Sequence, residues 1–207
     1  MRMLLINTCG GEGVVALADE AGVIASEPLP GRGTSEALLP AVHRLFPDGF
    51  RGVQAVGVVI GPGSFTGVRV GLAAAKGFCE AAGIGMVAMS RLALVAADVR
   101  AERAVALLDG GRGEFYAGIF DADAVASESL VSEAFARELI VEAEAVTCEA
   151  RVVERLGHGV RLVAEPGAEA MRAMVLDRAA TGQWSDIATV DANYLRRTDA
   201  ELLVHGR

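Results

Sequence analysis

Lysine is all but missing from this 207-residue chain: of its 19 basic residues only Lys76 is not an arginine, which leaves little for Schiff-base or phosphate-clamping lysine chemistry. Cysteine is scarce as well. Cys9, Cys79 and Cys148 stand far apart with no C-x-x-C spacing, so neither a disulfide framework nor a zinc knuckle is signalled, and a reducing cytoplasm fits best. The three histidines, His43, His158 and His205, show no H-x-x-x-H pair and no neighbouring acid pattern. That argues against a metalloprotease site and a hydrolytic triad, and leaves them as surface or packing residues. Aromatic residues make up only 5%, and Trp184, Tyr116 and Tyr194 are too few to stack bases on a basic surface. Excess positive charge is lacking too. A net charge of −8 and a pI near 4.9 remove the sequence-independent attraction that dominates nucleic-acid binding. The opening apolar run stops after Ile6, and no later one approaches the ~18 residues of a membrane span. The expectation is a soluble, untargeted, cytoplasmic chain without membrane contact.

Apolar residues, by contrast, are plentiful. At 52% hydrophobic and a mean hydropathy of +0.39 the chain has ample material for a core, which excludes disorder. Its length suits one ordinary domain or two small lobes. Charge divides it: the first hundred residues balance eight acids with eight bases, whereas the remainder carries 19 acids against 11 bases and so the whole excess.

Met3 to Ile6, Val14 to Ala18 and Val23 to Ala25 are short apolar runs parted by Gly10-Gly11 and by Asp19 to Gly22, the pattern of an antiparallel meander. Thr34-Ser35-Glu36 then introduces an apolar stripe, Leu38, Leu39, Val42, Leu45 and Phe46, which predicts a helix ending before Pro47 and bent at Pro40. Val53 to Ile60, β-branched and uncharged, reads as a strand covered on both faces. The turn Gly61-Pro62-Gly63-Ser64-Phe65-Thr66-Gly67 leads into a helix from Val68 to Ala82 that stops at Gly83. This turn fits neither G-x-G-x-x-G nor a P-loop, and Pro62 removes an N–H. On the helix Gly67, Gly71 and Ala75 recur at i, i+4 and i+8, a face bare enough for another backbone to approach closely.

Met86 to Met89 reads as a strand and Arg91 to Val99 as a helix. The opening pattern then returns in Ala104 to Leu108, Glu114 to Phe120 and Val125 to Val131, and a last helix lies between Pro166 and Gly182. The loop at Asn7-Thr8-Cys9-Gly10 repeats 102 residues later at Asp109-Gly110-Gly111-Arg112, which suggests a degenerate duplication. Paired hairpin loops of this kind resemble the phosphate loops of actin-like and sugar-kinase-like ATPases, where a carboxylate holds metal-bound water. Asn7 offers an amide in that place, and an amide cannot supply the charge for a magnesium shell.

Gly61 to Arg69 with the Gly71 to Gly77 helix resembles the signature of the TsaB (YeaZ) family. Supporting it are the Met1 to Thr8 opening, Ser35-Glu36 with Leu38-Leu39-Pro40, Asp109 to Tyr116, and Tyr194-Leu195-Arg196. The resemblance implies an α/β, actin-like two-lobed fold of ribonuclease H-like lobes, with mixed sheets flanked by helices. A boundary near residue 100 would separate a lobe of residues 1–100 from a smaller one of residues 101–207. It implies a non-catalytic subunit in the formation of N6-threonylcarbamoyladenosine in tRNA, paired with a TsaD-like catalytic paralogue that carries the ATP and metal. A TsaE-like small ATPase joins them, tRNA is met only through the complex, and the chain alone forms a homodimer. The partner surface would comprise Leu38 and Val42 on the first helix and Gly67, Arg69, Gly71, Ala74, Ala75 and Phe78 on the second. Asn7, Thr8, Asp109 and Gly110 would be degenerate nucleotide loops, with no catalytic or metal-ligating residue. Two alternatives are an actin-like ATPase or kinase using Asp109 and a metalloprotease-like protein. The chain departs from the family pattern at Asn7, where aspartate is common, at Gly33-Thr34, where a histidine often precedes Ser-Glu, and in its short second lobe.

Overall fold

The computed structural model describes residues 1–97, 99–121 and 127–196. β1 (Arg2–Asn7), β2 (Gly13–Ala18) and β3 (Val23–Leu29) pair antiparallel in succession, as the turn signals between them require. β4 (Val53–Val59) runs parallel to β1, and β5 (Gly85–Met89) parallel to β4, giving the order β3-β2-β1-β4-β5. β4 is thus an interior strand, flanked by β1 and β5, and its uncharged stretch from Ala55 to Val59 is buried throughout.

Strand side chains alternate between faces, and here the two faces receive different helices. Ile6 and Thr8 meet α2 (Phe65–Ala82), which lies beside α1 (Thr34–Leu45). Leu5 faces the other way, toward α6 (Ala168–Ala180), whose buried Met171 and Val175 complete that side of the core. α6 comes so close that a Cβ on Gly57 would stand 2.6 Å from Val175 Cγ2 and 2.9 Å from Leu5 Cδ2. Gly57→Ala should therefore lower the urea unfolding free energy by about 1–3 kcal/mol, the usual cost of overpacking. Gly77→Ala, with nothing within 4 Å of the new methyl group, should raise it by about 0.5–1 kcal/mol.

Ser64 caps α2, its hydroxyl oxygen accepting the Gly67 N–H at 3.3 Å, so the helix begins at Phe65 rather than at Val68. It ends as the sequence predicts, at Gly83 with φ +66°. α1 runs through Pro40 as one element, and α3 (Arg91–Ala96) is shorter than expected. Trp184 takes a rim position, lying over Gly85 while Ser185 N–H donates to the Met86 carbonyl at 2.8 Å.

The second lobe repeats the plan. β6 (Arg103–Gly111), β7 (Glu114–Asp121) and β8 (Ser127–Ser132) form a meander, and β9 (Glu144–Thr147) and β10 (Val160–Leu162) add parallel strands in the order β10-β9-β6-β7-β8. Taken in chain order, that is the arrangement of β1 to β5. α4 (Glu133–Glu142) follows the third strand as α1 does, and α5 (Ala150–Leu156) joins the last two strands as α2 does. Each lobe has its own core, the second built on Val105, Leu107, Phe115 and Leu139. Two ribonuclease H-like sheets with flanking helices are the actin-like two-lobed fold.

The single boundary near residue 100 needs correction. Among the described residues the first lobe comprises Met1–Leu94 and Pro166–Asn193, and the second those of Val95–Glu165 and Tyr194–Arg196. The reason is α6, whose apolar side chains bury against the first sheet although they follow the second lobe in sequence. No described helix is long and apolar enough to cross a membrane.

Candidate partner surface and hairpin loops

The glycine face of α2 points inward. A Cβ on Gly67 would overlap the Thr8 carbonyl oxygen, and one on Gly71 would overlap Thr8 Oγ1, which itself donates to the Gly67 carbonyl at 2.7 Å. Gly63 and Gly31 stand likewise against the carbonyl oxygens of Cys9 and Gly11. The first hairpin loop therefore rests on glycines along much of its length. Ala75 is wholly buried, as are Leu38 and, nearly, Val42. This corrects the expectation for Leu38, Val42, Gly67, Gly71 and Ala75. The bare face does admit a backbone at close range, but that backbone is the chain's own, and these five residues are sealed within the first lobe.

What α2 presents outward is a different row. Thr66, Arg69, Ala73 and Gly77 are exposed at helical spacing, flanked by half-buried Ala74 and Phe78. Phe65 is 51% exposed and carries the Arg69 guanidinium 3.6 Å above its ring centroid, a stacked pair held at the surface. Leu39 on α1 is 58% exposed. Of the residues expected in a partner surface, Arg69, Ala74 and Phe78 keep some access, and Leu39, Phe65 and Ala73 join them. The exposed row had a sequence signal in its spacing, one residue pair around the helix from the row of glycines.

Where the N-termini of α1 and α2 meet the first loop there is a cleft of about 80 Å³ lined by Thr8, Gly10, Thr34, Ser35, Ser64 and Thr66 among others. It has room for a few waters and falls well short of the roughly 300 Å³ at which small-molecule pockets begin.

The two hairpin loops do not fit a metal-bound nucleotide. Asn7 is 1% exposed, its Oδ1 accepts the Cys9 N–H at 3.1 Å, and its Nδ2 has no partner among the described residues. An orphaned buried donor is costly, by about 1–3 kcal/mol, but it is a donor and offers a cation nothing. In the second loop Asp109 Oδ1 accepts the Gly111 N–H at 2.8 Å, and Arg151 and Arg155 stand 3.2 and 3.6 Å from its carboxylate. Its own N–H donates to Glu149 Oε2 at 2.9 Å. Arg112 and Gly113, at φ +56° and +86°, make the two-residue turn, and Arg196 holds the loop by donating to the Gly110 carbonyl at 2.7 Å and pairing with Glu114. Arg155 also lies over the Phe115 ring and bonds Glu133, and hydrogen bonds from Arg155 first and Arg137 second hold the Glu133 carboxyl below its ordinary range.

Glu149, Arg151 and Arg155 escaped the sequence reading because β9 and α5 are too short to show a period. His43 in the first lobe and His158 in the second are exposed, and His205 falls outside the described residues. Among the described residues no group of histidine, cysteine and acidic side chains is placed to hold a metal.

The fold and these loops define an actin-like protein in which Asn7 Oδ1 and the Asp109 carboxylate are engaged by the chain's own groups. The family model for TsaD, tRNA N6-adenosine threonylcarbamoyltransferase, matches residues 29–145. The chain belongs to that family and, within it, to the TsaB (YeaZ) group. It is 32% identical over 123 residues to the tRNA threonylcarbamoyladenosine biosynthesis protein TsaB of Escherichia coli strain K12, covering 56% of this chain and 53% of that one. To the TsaB protein of Bacillus subtilis strain 168 it is 32% identical over 126 residues, covering 58% and 55%. The matches thus span about half the length of these curated relatives. The structure of YeaZ from Pseudomonas aeruginosa superposes with a TM-score of 0.75 at 23% identity, covering 94% of this chain and 99% of that one, which shows the shared fold.

Proposed function

We propose that this chain is a non-catalytic subunit in the formation of N6-threonylcarbamoyladenosine in tRNA, and that it acts by docking on a TsaD-like catalytic paralogue. The docking surface is the outward side of α1 and α2, with Leu39, Phe65, Arg69 and Ala73 at its centre. ATP and metal reside on the paralogue, a TsaE-like ATPase joins the pair, and tRNA is reached through the assembly. In the absence of the paralogue a second copy of the chain occupies the same surface.

The observation that carries this reading is the internal engagement of both hairpin loops, Asn7 by the Cys9 N–H and Asp109 by two arginines, in a chain of the TsaB group. The actin-like ATPase reading relied on Asp109 and the loop at Asn7, and there Asp109 is paired with two arginines while Asn7 offers an amide. Reconstitution tests the proposal. Modified adenosine should appear when the chain and its TsaD-like paralogue are mixed with tRNA and a threonylcarbamoyl donor, and should be absent when either protein is omitted. Product formed by this chain alone would overturn it.

A further inference from the structure

β5 closes one side of the first sheet, and its sequence, Gly-Met-Val-Ala-Met, holds nothing that discourages pairing with another strand. Charge and proline are the usual deterrents to edge-to-edge association, and an uncharged apolar edge without them is the kind that associates. The opposite edge strand, β3, carries its own deterrents in Glu27 and Pro28. β5 is covered instead, by α6 and the chain that follows it. Arg178 Nη1 donates to the Ala88 carbonyl at 2.6 Å, Ser185 N–H donates to the Met86 carbonyl at 2.8 Å, and Ser185 Oγ accepts the Ala88 N–H at 2.9 Å. Beside them the Trp184 ring lies so close over Gly85 that a Cβ there would stand 2.6 Å from its Cε3.

Residues 183–193 form neither helix nor strand. Val190 N–H closes a turn on the Asp186 carbonyl at 2.9 Å, Ile187 and Val190 rest half-buried on the core, and Asn193 N–H ends the run on the Ile60 carbonyl at 2.8 Å. A hydroxyl, one N–H and a guanidinium thus satisfy edge groups of β5 as a neighbouring strand would, without adding a new strand edge. We infer that residues 183–193 are a strap that keeps β5 from pairing with the β5 of a second copy. A second copy is the occupant this edge fits. Two identical edges related by a twofold axis pair antiparallel, and neither β5 brings a charge to repel the other, although the chain as a whole carries −8.

Sedimentation of the full chain tests it. Trp184→Ala/Ser185→Pro removes the ring, the hydroxyl and the N–H that cover the edge. As concentration is raised, the weight-average mass of this variant should climb to about twice that of the native chain or more, the least that pairing of two copies gives. Association through α1 and α2 is common to both chains and drops out of the comparison. Adding Gly85→Lys should return the mass to the native value, because a charge on the edge strand blocks pairing and the atoms nearest the new side chain are those of Trp184, which the variant has vacated. A folded variant of native mass would overturn the inference. So would a mass that stays raised with Gly85→Lys, the sign of association through the uncovered Ile187 and Val190. Should the variant not fold, Trp184→Ala/Ser185→Gly takes its place under the same two criteria.

Discussion

Gly67→Ala should unfold the first lobe far more readily than its single added methyl group suggests, lowering the urea unfolding free energy by about 3 kcal/mol or more. The new Cβ would overlap the Thr8 carbonyl oxygen, a backbone atom fixed by the end of β1, so neither side can yield without moving the helix off the sheet. Gly71→Ala provides the informative contrast. Its Cβ would overlap Thr8 Oγ1, a side-chain atom that bonds the Gly67 carbonyl. Thr8→Ala should therefore rescue Gly71→Ala in part and leave Gly67→Ala unrescued, and a double-mutant cycle by urea titration measures the difference. Equal rescue of both would mean that α2 sits farther from the first loop than described.

The second large effect is expected on the other side of the same helix. Leu39→Asp and Ala73→Arg each place charge on the outward faces of α1 and α2, where the native side chains are exposed and their loss leaves the core intact. Each should weaken binding to the TsaD-like paralogue by about 30-fold or more, the range of an interface hot spot, while shifting the unfolding midpoint by less than about 1 °C. Calorimetric titration of the two purified proteins gives the affinity directly. Unchanged affinity in both variants would remove the docking surface from this face.

The contrast between these two faces shows where sequence reasoning reached and where it stopped. Strand-forming runs between glycine turns were legible because each is a local pattern, and the duplicated loop 102 residues apart foretold two lobes of one topology. The Gly67, Gly71 and Ala75 row was equally legible as a surface for close approach. Periodicity alone does not say what approaches, and here the first hairpin loop does. The same limit applies to Asp109. Its place at the end of a strand was readable, but its partners Arg151 and Arg155 come from a seven-residue helix some 40 residues on, in a segment with no strong period. α6 was read as a helix yet assigned to the wrong lobe, because the decision rests on Gly57 and Leu5, far away in sequence, offering Val175 a place to pack.

The central claim is that the chain works through contact and contributes no reacting group. Reconstituted tRNA modification with three versions of the chain, native, Ala73→Arg and Asp109→Asn, each shown by circular dichroism to be folded, tests this most directly. The account predicts that Ala73→Arg abolishes modification and that Asp109→Asn retains it. Modification that survives Ala73→Arg and vanishes with Asp109→Asn would contradict it and return the chemistry to this chain's own loop.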